Sequence, residues 1–177
     1  MSDMTSDAMN GIPLKGDRVS VSVFVDAPPA IAFEVFTDEI DLWWRHGMKF
    51  RAGAERGHSV LHLEPRLGGR LFEAVESTPP QVIQTGTVTA WDPPRGLDIE
   101  WRGVNFAPGE KTTISVRFEP RAAGTHVTLV HSGFASLRPD HPVRHGQPAE
   151  AFIRSMAMWW SDQVASLRMR VAERASP

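Results

Sequence analysis

The chain has 177 residues, of which 41% are apolar: enough for one sizeable core, too few for two ordinary domains and a linker. Its 19 basic and 21 acidic side chains leave a formal net charge of -2, so neither nucleic acid nor an anionic membrane is expected as a partner. Cysteine and tyrosine are absent, which excludes disulfides, thiolate catalysis, cysteine-ligated metals and phenolic acid catalysis.

Residues 1–17 are polar, carry Asp3 and Asp7, and hold no apolar run of the signal-peptide kind. They are expected as a disordered leader ahead of one domain over 18–174. No stretch approaches the ~18 to 20 consecutive apolar residues of a membrane span. The expectation is a soluble, cytoplasmic protein.

Over 19–25 valine occupies every second position, with Ser20 and Ser22 between, the period of a strand with one buried face. Asp26 can then accept from orphan amides and Pro28-Pro29 presets the first helical turn, so a helix packed by Ile31, Phe33, Val35 and Phe36 is expected. A second short helix follows over 40–44, with Asp38 as its cap and Leu42, Trp43 and Trp44 as its apolar residues. The segment 45–57 holds three glycines with Arg45, His46, Lys49, Arg51 and Arg56, and reads as a mobile basic loop. Such a loop is normally a solvated surface; alternatively it greets an acidic group at a cavity mouth.

From residue 58 strand signals recur, over 58–64, 70–77, 82–91, 97–101, 112–119 and 125–134, separated by turns rich in glycine and proline. With the first strand that makes seven, and connections this short favour antiparallel neighbours. After a loop over 138–148 comes the longest helix, with Ile153, Met156, Ala157, Trp160, Val164, Leu167 and Val171 within about 60° of one line. Trp159 lies on its flank with Phe152 and Gln163. An antiparallel sheet needs its apolar face covered, and only this helix is long enough to lie across it. The fold class is therefore α+β, a curved sheet gripping a C-terminal helix, with any cavity between sheet, helix and lip loops.

His131 shares parity with Val127 and Leu129, so its imidazole faces the concave side, either as an acid or base in a pocket or as a satisfied core histidine. Glu73 shares parity with Leu71 and Val75. If both face inward they can meet across the cavity; the commoner outcome is that a bulge or the sheet edge turns Glu73 outward. Trp44, Trp101, Met156, Trp159 and Trp160 either line a site for an apolar or ring-containing ligand or simply fill the core.

His58 and His62 stand four apart, but on a strand that is about 13 Å, too far to share a metal. His141 and His145 follow no ligand-spacing motif, so no metal and no cofactor is expected. Phosphate-binding loops, the dinucleotide glycine fingerprint and the nucleophile elbow are missing.

The order of elements, together with several short motifs, carries a resemblance. The motifs are Val25-Asp26-Ala27-Pro28, Trp43-Trp44, Leu63-Glu64-Pro65-Arg66-Leu67-Gly68-Gly69-Arg70, Trp91-Asp92-Pro93-Pro94, Gly124-Thr125-His126-Val127-Thr128-Leu129 and His131-Ser132-Gly133-Phe134. In this order and spacing the chain resembles the START-like helix-grip superfamily, also called SRPBCC. Within it, the chain is most similar to single-domain homologues of the heat-shock-protein-90 ATPase activator. In the last helix Trp160, Val164 and Leu167 match that family, whereas Trp159 stands where the family has glycine. An indole in place of hydrogen should shrink the cavity or reshape its mouth. The resemblance implies three uses: a carrier of a small hydrophobic or aromatic ligand, a cyclase, dehydratase or aromatase working through His131 and Glu73, or a chaperone-modulating interaction domain. Each is compatible with a homodimer.

Overall fold

The computed structural model describes residues 16–176, so the leader expectation falls, except at Gly16 and Asp17, outside the described residues. The alternating valines form β1 (Arg18–Val25), with Val19 and Val25 buried and Val21 and Val23 packed against the core's edge. Strand β1 pairs antiparallel with the last strand, and the chain then turns into α1 (Pro29–Asp38) and α2 (Ile40–Trp43).

Neither expected side-chain cap forms. Helix α1 begins after Pro28, whose carbonyl accepts from the amides of Ile31 and Ala32, and Asp26 sits too early to reach them. At α2 the capping position belongs to Glu39, not Asp38. Its carboxylate is taken by Arg170 at 2.6 Å and Arg174 at 2.9 Å, so it serves a long-range contact instead of the local helix end.

Strands β2 (Ser59–Leu63), β3 (Arg70–Val75), β4 (Gln81–Asp92), β5 (Gly96–Trp101), β6 (Thr112–Arg121) and β7 (Gly124–Ser132) complete one antiparallel sheet of seven, in the order β1-β7-β6-β5-β4-β3-β2. Two register shifts on β4 leave Thr85 without a partner on β3 and Thr89 without one on β5. Extra residues of this kind bend a strand and raise its twist, which curls the sheet. At the first bend a Cβ on Gly86 would lie 2.7 Å from Ile99 Cγ2, so only hydrogen fits.

Helix α3 (Ala149–Ala175) lies in the curl against β1, α1 and α2. It buries Trp160, Val164, Leu167 and Val171 as its periodicity requires. Phe152 and Gln163, expected on the flank, are buried as well. The chain after α2 covers Gln163, whose Oε1 accepts from the amide of Arg45 at 2.9 Å, and Phe134 and Leu137 cover Phe152. Among the described residues no helix is long and apolar enough to cross a membrane.

The core divides. A large cluster runs from α1 and α2 through the sheet to Trp160, Leu167 and Val171, while Phe134, Leu137 and Phe152 form a small separate one. Ile153 and Met156 touch both.

Candidate functional site

The site lies at the seam between those clusters. Strand β7 delivers His131 to the concave face as its parity requires, and the residue is buried. Trp160 Nε1 lies 3.1 Å from Nδ1, and Thr112 Oγ1 lies 2.8 Å from Nε2. An indole N–H can only donate, so Nδ1 is the acceptor and the ring proton sits on Nε2, directed at Thr112. Burial pushes the imidazole pKa down to about 3, and the ring is neutral at physiological pH. With both nitrogens engaged, His131 is the satisfied core histidine.

Glu73 also faces inward, contrary to the expectation that a bulge would turn it out. The register shift falls on β4 opposite Leu71 and Phe72, which leaves the alternation of β3 intact. The carboxylate accepts from the amides of Ala52 at 2.7 Å and Gly53 at 2.8 Å and from Ser59 Oγ at 3.0 Å. It is an anchor for the segment after α2.

That segment, expected as a mobile loop, is held at successive residues. Trp159 Nε1 donates to the Lys49 carbonyl at 2.9 Å, and Trp44 Nε1 donates to the Phe50 carbonyl at 3.0 Å. Arg51 is buried and donates to the carbonyls of Arg45, Asp41 and Trp44 and to Asp41 Oδ1 at 2.7 Å. Burial alone would raise the Asp41 carboxyl; the Leu61 amide and the Arg51 guanidinium hold it below the usual carboxylate range. The bond from Trp159 spans 110 residues and those from Trp44 and Arg51 link residues six to ten apart, and neither separation leaves a periodic pattern in the sequence.

Above this floor the indoles assemble. Trp44 stacks on Trp101 at 6.2 Å and meets Trp160 edge-on at 5.5 Å, and Trp159 meets Trp160 edge-on at 4.8 Å. Two adjacent cavities result. The larger, about 490 Å³, is walled by Trp101, Phe106, His131, Phe134, Phe152, Met156, Trp159 and Trp160. The smaller, about 230 Å³, includes Trp44, Leu61, Leu71, Glu73 and Thr85. Met48, Lys49, Trp101, Phe106, Val143 and Trp159 belong to both and form the partition and mouth. His131 reaches only the larger space and Glu73 only the smaller, so the pair does not converge.

The far lip is built from residues that periodicity could not find. Phe106 packs edge-on against His141 at 4.7 Å, and His141 Nε2 lies 2.7 Å from Glu110 Oε2. The Val143 amide donates to His141 Nδ1, so the histidine's proton is on Nε2 and directed at the carboxylate. The Ala107 amide and Arg138, with help from His141, bring the Glu110 carboxyl down to about 2. His58 pairs with Glu76 and His62 stacks on Phe72 on the outer face. Among the described residues no group of three or more His, Asp or Glu side chains is placed to hold a metal.

A curled seven-stranded sheet around a C-terminal helix, with two short helices after the first strand and a cavity beneath the long one, defines a helix-grip protein of the START-like class. The chain belongs to the family described as activator of Hsp90 ATPase homolog 1-like proteins, whose family model matches residues 26–171.

No curated protein matches the sequence. Among solved structures, a Mesorhizobium loti protein aligns with a TM-score of 0.61 and 18% identity, over 90% of this chain and 99% of its own. An HSP90 activator from Plasmodium falciparum aligns with a TM-score of 0.58 and 16% identity, over 88% and 96%. A putative protein of the dynemicin biosynthetic locus aligns with a TM-score of 0.53 and 21% identity, over 88% of this chain and 47% of the other. Likenesses at these identities establish the fold alone.

Proposed function

We propose that the domain binds a small, mainly apolar, ring-containing molecule in the larger cavity. The observation that carries this reading is the seam itself: two core clusters stand apart, and the space between them is walled by aromatic rings. A volume of about 490 Å³ falls within the ordinary range of small-molecule sites, and aromatic walls give large contact area at little conformational cost. Trp101, His131, Met156, Trp159 and Trp160 are the proposed site residues, joined by Phe106, Phe134 and Phe152, with Trp44 backing Trp101 and Trp160 from the smaller space.

A cyclase or dehydratase using His131 with Glu73 loses its support, because each group is saturated by internal partners and they address different spaces. A chaperone-modulating role draws on family membership and has no feature of this site in its favour.

The test is a thermal-shift and native mass-spectrometry screen of aromatic compounds, polyketides and lipids. A genuine ligand at a hundred times its Kd should stabilise the fold by about 2.7 kcal/mol. If no compound raises Tm and none is retained in native spectra, the domain is not a carrier.

A further inference from the structure

Resting on that reading, we infer that the ligand carries an acidic group, such as a carboxylate, seated against Lys49 at the cavity mouth. Among the residues lining the larger cavity Lys49 is the one Lys or Arg, and none is Asp or Glu. Its other polar lining comes from His131, His145, Gln147 and Ser155, of which His131 is already engaged. In the smaller space the lining carboxylate is Glu73, and three donors hold it.

Lys49 is also the one member of its basic segment that is both placed and available. Arg51 is buried with its guanidinium bonded to carbonyls and to Asp41, and Arg45, His46 and Arg56 line neither cavity; Lys49 and Arg45 both lie over Phe50, at 5.3 and 5.2 Å, and of the two only Lys49 stands at the mouth. The main chain at Lys49 is pinned to α3 by the Trp159 indole, which fixes where the side chain starts. Its ammonium is only loosely held, 3.6 Å from Asp162, with the two side chains 62% and 47% exposed. Exposed pairs of this kind contribute little, so a ligand carboxylate displaces Asp162 at small cost. A charge-assisted bond at the rim of an apolar space is then the stronger contact.

The aromatic walls alone favour the opposite charge, since indole faces attract cations. A cationic ligand would meet Lys49 at the mouth, where the carboxylate beside it, Asp162, lines neither cavity and is already shared with the ammonium at 3.6 Å. The lining therefore discriminates: apolar body inward, anion at the mouth.

Naphthylacetic acid, its amide and naphthylethylamine share one ring system and differ in charge, and they can be titrated calorimetrically into the wild type, Lys49→Gln and a distant control, Lys111→Gln. The acid is expected to bind at least about tenfold more tightly than the amide, with the amine weakest. Lys49→Gln should bring the acid-to-amide ratio to about one while leaving amide affinity and Tm unchanged, and Lys111→Gln should alter nothing. Equal binding of acid and amide to the wild type, or a ratio that survives Lys49→Gln, overturns the inference and leaves the cavity reading standing. If none of the probes binds, the inference falls, and the cavity reading is decided by the wider screen of aromatic compounds, polyketides and lipids.

Discussion

The space beneath α3 is closed in one way toward the helix's C-terminal end and in another toward its N-terminal end. At the first, α1 and α2 drive Phe33, Phe36 and Trp43 into the curl, where Phe36 meets Trp43 at 4.9 Å and Phe118 at 5.7 Å beneath Leu167 and Val171. At the second, no helix descends from the α1–α2 side. Phe134 and Phe152 retreat into their own cluster, and a void remains between them and Trp101. The rings are as large at one end as at the other. What differs is whether a second layer of secondary structure presses them together, so cavity position follows from where the two short helices end.

The largest expected effect tests that contrast directly. Phe36→Ala removes a fully buried ring from the pressed end and should cost about 3 to 5 kcal/mol in urea denaturation. Trp101→Ala removes a larger ring that is half-buried beside an existing void, and should cost about 1 to 2 kcal/mol. Equal losses would mean that the cavity end is packed as tightly as the other.

A smaller effect sharpens the boundary between the two ends, where His131 is sealed by Trp160 and Thr112. Its folded pKa of about 3 lies below the ordinary value of 6.5, so above pH 6.5 neither folded nor unfolded chain carries the charge and the residue's contribution is complete. Below that, the unfolded chain takes a proton that the folded chain refuses until about pH 3, and stability falls with pH through the window. The slope is about 1.4 kcal/mol per pH unit, or about 2 kcal/mol between pH 6.5 and 5. Denaturation midpoints for wild type and His131→Leu at pH 7, 6 and 5 should show the variant's slope shallower by that amount. Parallel slopes would place water at the imidazole and dissolve the boundary.

Much of the pressed end was legible in advance. Alternating valines, the α3 stripe and the parity of Leu97 and Ile99 are short-period signals, as is that of His131 at the boundary, and burial on one face writes them into the residue order. At the cavity end Trp101, Met156, Trp159 and Trp160 could be nominated from regular elements and Lys49 only as one of several basic residues of a loop, whereas Phe106 sits in a loop whose residues follow no period. Glu73 shows the limit most plainly. Its inward parity was readable, but its role depends on the amides of Ala52 and Gly53, twenty residues away and without any local signature. The missing cap of α2 has the same origin, since Glu39 is committed to Arg170 and Arg174 across more than a hundred residues.

Trp159 joins the two regimes and carries the smallest stability effect expected here. It stands in the partition between the two cavities with Phe50 at 5.6 Å and Trp44 at 5.7 Å. Its ring is half-buried, so Trp159→Ala loses one hydrogen bond to the Lys49 carbonyl and part of an already open wall, about 1 kcal/mol in all. The consequence for binding is larger than the consequence for folding. Without the indole the spaces beside Glu73 and beside His131 become one, and ring systems longer than naphthalene should gain affinity while naphthylacetic acid loses the wall it packs against. Calorimetric titration of a graded series of fused-ring acids into both proteins reads this as a crossing of the two affinity curves. Curves that stay parallel would make Trp159 part of the packed core after all, and a stability loss matching that of Phe36→Ala would say the same from the folding side.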